Sequence, residues 1–344
     1  MKMNDFLKQE IETNFFQQPI DWNAFHGKSI MITGATGLIG SMVCRVLSCI
    51  GKIKELNVNL IAVVRDREKA NKILADVMEN GNISFLEQDI AEPIQMENHV
   101  HYVIHTACPT ASGTFIKNPV ETIQAIVNGT ENVLKFAKRA QSESVVYLSS
   151  MEAYGQILHE NPLLPEDVGY INPLSLRSCY PEGKRMAENL CVAYCSEYQV
   201  PVKIIRLAQT FGPGIDRSDK RVFAQFLHSA LNKENIVMYT EGGSKRMYLD
   251  TMDAVSACII ALLKGENGCV YNAGNPDTYC SIKQMAELVL KEFGEKNAKV
   301  VVDKSKNVGQ YPPDNMLYLD VSLLENLGWF PKYDLKNMYN RMLQ

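Results

Sequence analysis

The sequence contains no apolar run that could cross a bilayer and no excess of positive charge. Its longest apolar runs, such as residues 257–263, fall far short of the roughly 20 residues that a membrane-spanning helix requires. Lys and Arg total 35 against 39 Asp and Glu, which gives a net charge of −4. A mildly acidic chain lacks the basic face that general nucleic-acid binding needs. We therefore expect no membrane and no nucleic acid among its partners.

Signals for export, disulfide frameworks and metal sites are also missing. The first sixteen residues carry acids and no apolar core, so we do not expect a secretory signal. The nine cysteines are an odd number and include no Cys-x-x-Cys pair, which is typical of reduced thiols. No group of His, Cys or Asp has a metal-ligand spacing. The sequence therefore predicts a cytoplasmic protein without a metal.

The composition is that of an ordinary globular protein. Apolar residues make up 46% and charged residues 22% of 344 residues, enough for two lobes. Between residues 28 and 207, short buried strands alternate with helices, a pattern that predicts βαβ units and a parallel sheet. The predicted strands cover residues 28–33, 60–64, 83–86, 100–105, 144–148 and 202–207, and the predicted helices cover residues 67–78, 119–140 and 181–198.

The expected fold class is α/β: a Rossmann-type doubly wound parallel sheet with a smaller C-terminal mixed α/β substrate lobe. The regular alternation of strands and helices weakens after about residue 210, where short strands mix with helices. We expect an N-terminal helical extension over 1–27, an NAD(P)-binding Rossmann domain over 28–210 and a substrate-binding lobe over 211–344, with the chain crossing between lobes. Leu7, Ile11 and Phe15 recur every four residues, so the extension should pack onto the main body or onto a partner subunit.

A glycine-rich turn follows the first predicted strand. Residues 31–40 read MITGATGLIG and lead into a predicted helix. Small residues let the backbone approach a pyrophosphate, and the N-terminus of the helix holds its charge. The context of strand, turn and helix predicts dinucleotide binding rather than a merely structural turn. The predicted binding residues of this turn are Gly34, Thr36, Gly37, Leu38, Ile39 and Gly40.

The end of the second strand leaves the choice of cofactor open. An acid there accepts hydrogen bonds from a ribose and favours NAD, whereas an Arg can pair with the extra phosphate of NADP. Arg65 holds the strand end and Asp66 follows, so we expect NAD with NADP as an alternative, and a solvated charged loop fits as well. Asp89, after the third strand, could meet the adenine amine. We assign Ile90, Thr106 and Ala107 to the same cofactor site.

Tyr180 and Lys184 form the candidate catalytic pair. Four residues apart on a helix, they share one face. We expect the Lys184 ammonium and a bound nicotinamide to lower the pKa of the tyrosine. The phenolate could then take a proton from a sugar hydroxyl as hydride leaves for the cofactor. Ser150, at the end of the fifth strand, could share the same hydroxyl.

Several motifs together resemble the extended short-chain dehydrogenase/reductases, a family of NAD(P)-dependent nucleotide-sugar epimerases, dehydratases and decarboxylases. The resemblance covers about residues 28–335, and residues 172–191 most resemble the UDP-glucuronate decarboxylases. The motifs that carry it are ITGATGLIG (32–40), HTAC (105–108), NGTENVL (128–134), LSSMEAYG (148–155) and Tyr180-x-x-x-Lys184.

The resemblance implies residue roles. Ser150, Tyr180 and Lys184 match the catalytic trio of enzymes that oxidise C4 of a nucleotide-linked sugar, and the two last residues also hold the cofactor. Asn128 matches a residue of the nucleotide and active-site region, and Arg246 matches an arginine that pairs with the substrate diphosphate. Gln209 stands where an Asn is usual. The resemblance also implies a homodimer through helices 119–140 and 181–198.

The reaction that follows oxidation is indicated by Ser150-Met151-Glu152. Family dehydratases often show Thr-Asp-Glu, and Met151 has no proton to give. Simple 4-epimerases usually have a small residue at the position of Glu152, whereas decarboxylases tend to show Thr-Ser-Glu. We therefore expect decarboxylase-like chemistry, of the UDP-glucuronate decarboxylase type, with Glu152 among the catalytic residues.

Some positions depart from the decarboxylase pattern. Ala111 and Phe115 stand where decarboxylases place a Ser and a Tyr near the sugar carboxylate, and no Arg precedes Pro312-Pro313-Asp314. The alternatives are a UDP-glucose 4-epimerase type, a 4,6-dehydratase, an NAD(P)H-dependent reductase of a nucleotide-linked sugar or polyol, and a non-catalytic NAD-binding scaffold.

Overall fold

The computed structural model describes residues 3–109, 112–306 and 314–343. The described strands are β1 (Ser29–Thr33), β2 (Asn59–Val64), β3 (Ile83–Glu87), β4 (Tyr102–His105), β5 (Ser144–Ser150), β6 (Val202–Leu207), β7 (Gln209–Phe211), β8 (Ile236–Met238), β9 (Lys245–Asp250), β10 (Val270–Ala273), β11 (Asn275–Ser281), β12 (Val300–Val302) and β13 (Met316–Leu317). The described α-helices are α1 (Met3–Glu10), α2 (Leu38–Ile53), α3 (Arg67–Ile73), α4 (Ala75–Met78), α5 (Ser112–Lys117), α6 (Pro119–Ala140), α7 (Cys179–Tyr198), α8 (Val222–Leu231), α9 (Thr251–Lys264), α10 (Ile282–Phe293), α11 (Ser322–Glu325) and α12 (Leu335–Met342).

The main sheet has seven strands in the order β10-β6-β5-β4-β1-β2-β3, and every neighbouring pair is parallel. The strand order reverses beside β1, where the chain goes outward to β2 and β3 before returning to β4. Ligands of such sheets bind at this switch point, outside the carboxyl ends of the strands. The predicted doubly wound parallel sheet is confirmed.

Two helical layers cover the two faces of this sheet. Side chains along a strand alternate between faces. Accordingly, Ile30 and Ile32 of β1 belong to the core beneath α2 and α9, whereas Met31 belongs to the core beneath α6 and α7. These strands are buried on both faces, which explains why they are continuously apolar in sequence.

The C-terminal part builds a smaller mixed sheet and its own core. Strand β9 pairs antiparallel with β11 and parallel with β7 and β13, and β8 pairs with β12. The aromatic rings of Phe211 and Phe223 stack at 4.4 Å between centroids in this core. The chain then crosses back, because β10 joins the edge of the main sheet and α9 packs against it. A domain boundary at residue 210 stays a prediction.

The amino-terminal segment packs onto the main body. Helix α1 continues into a π-helical turn over Ile11–Phe15. Leu7, Ile11 and Phe15 are all buried, in the same core as the strands under α2. None of the described helices is long and apolar enough to cross a membrane.

A buried arginine joins the two ends of the chain. The Arg341 guanidinium, on α12, donates hydrogen bonds to both carboxylate oxygens of Glu10 at 2.7 and 3.0 Å. Its Nε donates to Asp250 Oδ2 at 2.9 Å, and its guanidinium carbon lies 3.6 Å from the ring centroid of Tyr333. Burial raises the pKa of Asp250 to about 6, although Arg341 opposes the shift. Arg341 therefore compensates two carboxylates that water does not reach.

We expect Arg341→Met to lower the free energy of unfolding by about 3 to 5 kcal/mol, because it leaves buried carboxylates without a partner. Lys336→Met on the same helix is the control, since the Lys336 pair with Glu292 is largely exposed and should cost about 0 to 1 kcal/mol. Urea denaturation measures both values. Equal losses in the two variants would contradict the role of the buried network.

Candidate active site

The glycine-rich turn forms a close backbone crossing. Gly34 has φ +65°, and a Cβ there would lie 2.7 Å from the Cα of Ala107. A Cβ on Gly40 would lie 2.3 Å from the carbonyl oxygen of Gly34. Helix α2 starts at Leu38 after Gly37, with no side chain capping its first turn. The turn therefore presents open N–H groups in a cradle that only glycines permit, which fits a pyrophosphate.

A cleft of about 1000 Å³ lies at the carboxyl ends of the strands, beside this turn. Its volume is large enough for a dinucleotide. Most of the predicted cofactor residues line it, namely Gly34, Thr36, Gly37, Arg65, Asp66, Asp89, Ile90, Thr106 and Ala107. Gly40 lies outside the lining, where it acts through the close approach to Gly34.

A smaller cavity of about 210 Å³ adjoins this cleft. Gly37, Thr106 and Cys108 line both cavities, so the two are neighbours. The smaller cavity brings together the remaining predicted cofactor residues, the predicted catalytic residues and one predicted substrate residue. They are Leu38, Ile39, Ser150, Glu152, Tyr180, Lys184 and Gln209.

Lys184 lies almost fully buried beside Tyr180. Its Nζ donates a hydrogen bond to the carbonyl oxygen of Leu148 at 2.6 Å. The same nitrogen is 4.8 Å from the ring centroid of Tyr147 and 5.8 Å from that of Tyr180. The spacing on α7 thus puts Tyr180 and Lys184 on one face, as the sequence predicts.

We expected the pKa of Tyr180 to be lowered. In the protein without a bound cofactor this expectation is wrong. Burial raises the pKa of Tyr180 well above its usual value of 10, and the nearby Cys108 and Glu152 add to that shift. A hydrogen bond with Ser150 opposes it. Desolvation prevails because the Lys184 ammonium is directed at a backbone carbonyl rather than at the phenol.

Ser150 and Glu152 are held by the end of β5. The Oγ of Ser150 accepts a hydrogen bond from the Glu152 backbone N–H at 3.2 Å, which caps a 3₁₀ turn over Met151–Tyr154. The carboxylate of Glu152 faces the guanidinium of Arg177, with both N–O distances at 3.4 Å. Arg177 was not predicted, because a single Arg in a three-residue 3₁₀ turn carries no periodic signal. Its position three residues before Tyr180 was the available clue.

Phe115 lies directly against Tyr180. The two rings stack with centroids 4.4 Å apart and planes 12° apart, and Phe115 is buried in the wall of the smaller cavity. An apolar ring therefore occupies the position at which the sequence comparison expects a hydroxyl. Ala111 and the segment 310–313, the other departures, lie outside the described residues.

Two predicted substrate residues lie apart from both cavities. Asn128 is exposed on α6, and it lines neither cavity. Arg246 lies on β9, opposite Cys280, and its Nε is buried with no hydrogen-bond partner among the described residues. A buried N–H without a partner costs free energy, so Arg246 has unused capacity to bind an anion.

Histidines lie at both ends of the strands of the main sheet. His105 is buried and contacts Thr33 Oγ1 at 2.7 Å, and burial lowers its pKa to about 3, so it is a packed histidine. At the opposite strand ends, ligand atoms of His99, His101 and Glu143 lie within 4.8 Å of one another, a grouping the sequence analysis missed. His101 Nδ1 already accepts the Ser29 N–H.

The Rossmann-type sheet, the glycine cradle and the buried Tyr–Lys pair define a dinucleotide-binding protein with an adjoining reaction cavity. Residues 30–274 match the model of the NAD dependent epimerase/dehydratase family. The chain belongs to this family. The predicted family, enzyme class and NAD dependence are thereby confirmed.

UDP-glucuronic acid decarboxylases match most of this chain in sequence. UDP-glucuronic acid decarboxylase 4 of Arabidopsis thaliana is 32% identical over 89% of this chain, which spans 66% of that relative's length. UDP-glucuronic acid decarboxylase 1 of Xenopus tropicalis is 29% identical, with 97% of this chain and 76% of that relative covered.

Among solved structures, a UDP-glucuronic acid 4-epimerase from Bacillus cereus, in complex with UDP-glucuronic acid and NAD, has a TM-score of 0.75. It is 20% identical and covers 91% of this chain and 97% of its own. A dTDP-glucose 4,6-dehydratase from Streptomyces venezuelae gives a TM-score of 0.76 at 21% identity, over 92% of this chain and 95% of its own. These likenesses support the fold.

Because burial holds the pKa of Tyr180 well above 10, we expect it to stay protonated throughout about pH 7 to pH 10 in the protein without ligands. An ultraviolet difference titration of tyrosinate should therefore superimpose for the wild type and Tyr180→Phe. Far-ultraviolet circular dichroism verifies the fold at each pH. An amplitude smaller by one tyrosine in the variant would overturn the assignment.

Proposed function

We propose that this protein oxidises C4 of a nucleotide-linked sugar, with decarboxylation of a UDP-linked glucuronate as its reaction. The single observation that carries the proposal is the adjoining pair of cavities. Ser150, Glu152, Tyr180 and Lys184 line the smaller one, and it shares its wall with the dinucleotide cleft. The names of the relatives support the choice of sugar and reaction.

In this proposal NAD, when bound, accepts a hydride from the sugar carbon and returns it at the end of the cycle. Tyr180 takes the proton of the C4 hydroxyl, and the hydroxyl of Ser150 hydrogen-bonds the same oxygen. Lys184 fixes the orientation of α7 through its bond to Leu148 and contributes a positive charge near the phenol. The positive charge of an oxidised nicotinamide would add to this effect and oppose the cost of burial.

The C4 ketone formed in this way lies β to the C6 carboxylate. The C5–C6 bond breaks, carbon dioxide leaves, and the electron pair passes to the C4 oxygen as an enolate. A proton is then added at C5, and Tyr180 would give its proton back to the C4 oxygen as the ketone is reduced. Glu152 is proposed to act on this proton, because it lines the smaller cavity, and Arg177 would hold its carboxylate from behind through their ion pair.

Met151 argues against the alternative reaction of a 4,6-dehydratase. A 4,6-dehydratase must protonate a departing hydroxyl, and Met151 supplies no proton between Ser150 and Glu152. Gln209 lies in the smaller cavity and is proposed to contact the sugar. Arg246, with its unpartnered Nε, is proposed to hold the diphosphate. The role of Asn128 stays a prediction.

A second candidate is a net reductase of a nucleotide-linked sugar, working with an exchangeable cofactor. The observation that favours it is the pair of cationic side chains, Arg65 and Lys69, at the far end of the dinucleotide cleft. In this function the ketone would be the substrate and Tyr180 would donate its proton. For either function we propose a cytoplasmic location.

We expect the wild type with NAD⁺ to release carbon dioxide from UDP-glucuronate and to form a UDP-pentose. Tyr180→Phe should lower turnover by about 10²- to 10⁴-fold, because the variant has no phenolic proton to exchange. The measurements are carbon dioxide release and mass spectrometry of the sugar nucleotide.

Tyr194→Phe on the same helix is the matched control and should keep turnover within about twofold, since its ring packs against Tyr198 outside the cavity. Full turnover by Tyr180→Phe would remove the acid–base role. Turnover of a different UDP-, dTDP-, GDP- or CDP-sugar without carbon dioxide would replace the decarboxylase assignment.

We also propose a homodimer formed by α6 and α7. These helices pack against each other, and each exposes apolar side chains to the outside. Val120 and Ile123 on α6 and Met186 and Val192 on α7 are 44 to 59% exposed. A face built from two such helices can pack against the same face of a second copy of the chain across a two-fold axis.

We expect the wild type to elute as a dimer and Ile123→Glu with Met186→Glu to shift it to a monomer, because the charges would be buried in the interface. Light scattering coupled to size-exclusion chromatography measures the mass. Ile53→Glu, on an equally exposed side chain of α2, is the control. A wild-type monomer would contradict the proposal.

A further inference from the structure

We infer that Glu188 is a positioning residue: it holds α7 at the rotation and height above the sheet that bring Tyr180 and Lys184 into the smaller cavity. The inference rests on the catalytic roles proposed above. It adds to them a residue that acts through others, because Glu188 lines neither cavity.

Three buried polar side chains follow one face of α7. Tyr180, Lys184 and Glu188 recur every four residues, which places them on one stripe of the helix. Lys184 donates to the carbonyl oxygen of Leu148 on β5. Glu188 makes the next contact of this stripe with the sheet, one turn further along the helix. The stripe therefore carries the proposed catalytic pair together with its anchor.

The Glu188 carboxylate binds two neighbouring strands at once. Ser149 of β5 and Arg206 of β6 are register partners in the parallel sheet. Ser149 Oγ donates a hydrogen bond to Glu188 Oε1. Arg206 Nε donates to the same oxygen at 2.9 Å, and its Nη2 donates to Oε2 at 2.7 Å. Because both strands hold the carboxylate at a fixed register, α7 can neither rotate nor slide without breaking these bonds.

Arg206 extends the network to the turn after β5. Its Nη1 donates to the carbonyl oxygen of Pro165 at 2.6 Å, and its guanidinium carbon lies 4.6 Å from the ring centroid of Tyr154. Tyr154 ends the 3₁₀ turn that follows β5 and holds two of the proposed catalytic residues. Through Glu188 the same guanidinium contacts α7, which carries the other two. The network therefore joins the two halves of the proposed catalytic set.

Apolar packing leaves the orientation of α7 weakly determined. Apart from Tyr180 and Pro181, its buried residues are small or polar, namely Cys179, Gly183, Lys184, Ala187, Glu188 and Cys191. Such side chains form shallow ridges, which constrain the rotation of a helix less than interlocking aliphatic chains do. A buried ion pair adds little net stability after its desolvation cost, but it accepts one geometry. The pair of Glu188 and Arg206 supplies the constraint that the small residues do not.

The first experiment compares crystal structures of the full-length wild type, Glu188→Gln and Glu188→Asp. In Glu188→Gln an amide N–H faces the Arg206 guanidinium, so this part of the network should break. We expect the Tyr180 hydroxyl to move by about 1 Å or more relative to Ser150 Oγ, a displacement large enough to impair catalysis. Glu188→Asp keeps the charge but is one methylene shorter, so we expect a displacement there as well. An unmoved hydroxyl in Glu188→Gln overturns the inference, whatever the substrate is.

The second experiment measures kcat and KM, per bound NAD⁺, for the nucleotide sugar that the wild type turns over. We expect Glu188→Gln to lower kcat by about 10- to 100-fold and to leave KM within about threefold, because misplaced reacting groups slow the reaction without removing a contact to the substrate. Glu188→Asp should stay at least about fivefold slow. Full turnover by Glu188→Asp would reduce Glu188 to a counter-charge for Arg206 and overturn the positioning role. A raised KM with unchanged kcat in Glu188→Gln overturns it too.

Two controls separate position from stability. Glu197→Gln makes the same change at an exposed position of α7 and should keep kcat within about twofold. Arg341→Met disrupts the other buried ion network, so it should lower Tm and yet keep kcat per bound NAD⁺ within about twofold. A loss of kcat in Arg341→Met equal to that in Glu188→Gln would assign the effect to stability and contradict the inference.

Ser149→Ala keeps the inference testable if Glu188→Gln does not fold. It removes one hydrogen bond and leaves the pair of Glu188 and Arg206 intact. We expect the same direction of displacement and a loss of about 3- to 10-fold in kcat, and an unmoved Tyr180 in this variant would then overturn the inference. If the wild type turns over no nucleotide sugar, the proposed function fails, and the crystal structures alone decide whether Glu188 positions α7.

Discussion

The backbone contact between the glycine-rich turn and the loop after β4 is the constraint on which the rest of the site depends. Gly34 and Gly40 let this turn lie against the backbone at Ala107, closer than any side chain would allow. The contact fixes β1, β4 and the start of α2 relative to one another. Because Thr106 and Gly37 belong to both cavities, the same contact fixes the two cavities relative to each other.

The main sheet could be predicted from the sequence because its strands are buried on both faces and are continuously apolar. Helix α6 was predicted with the bounds it has, since Pro119 starts it and a periodic apolar face continues to Ala140. The predicted helix 67–78 is interrupted at Leu74, a break that no Gly or Pro announces. The strands around β9 were missed because their partners are far apart in the chain and their segments are short.

Most residue types of the site could be predicted from the sequence. The electrostatic environment of Tyr180 was predicted less well. The motifs around Tyr180 and Gly34 indicated which residues would lie near each of them, because the spacing of residues on strands and helices determines which side chains meet. The direction of the Tyr180 pKa shift depends on burial by Phe115 and on the target of the Lys184 ammonium, which only the packing determines. Arg177 and Lys69 likewise enter the site through loop and helix geometry rather than through a motif.

The guanidinium of Arg341 contacts a carboxylate 331 positions away in the chain. Closing a loop of this length costs chain entropy that only the finished packing of both segments offsets. Until α12 packs, Glu10 and Asp250 lack their cation in the core. The amino-terminal helix and α12 therefore stabilise each other, and neither segment keeps this buried network without the other.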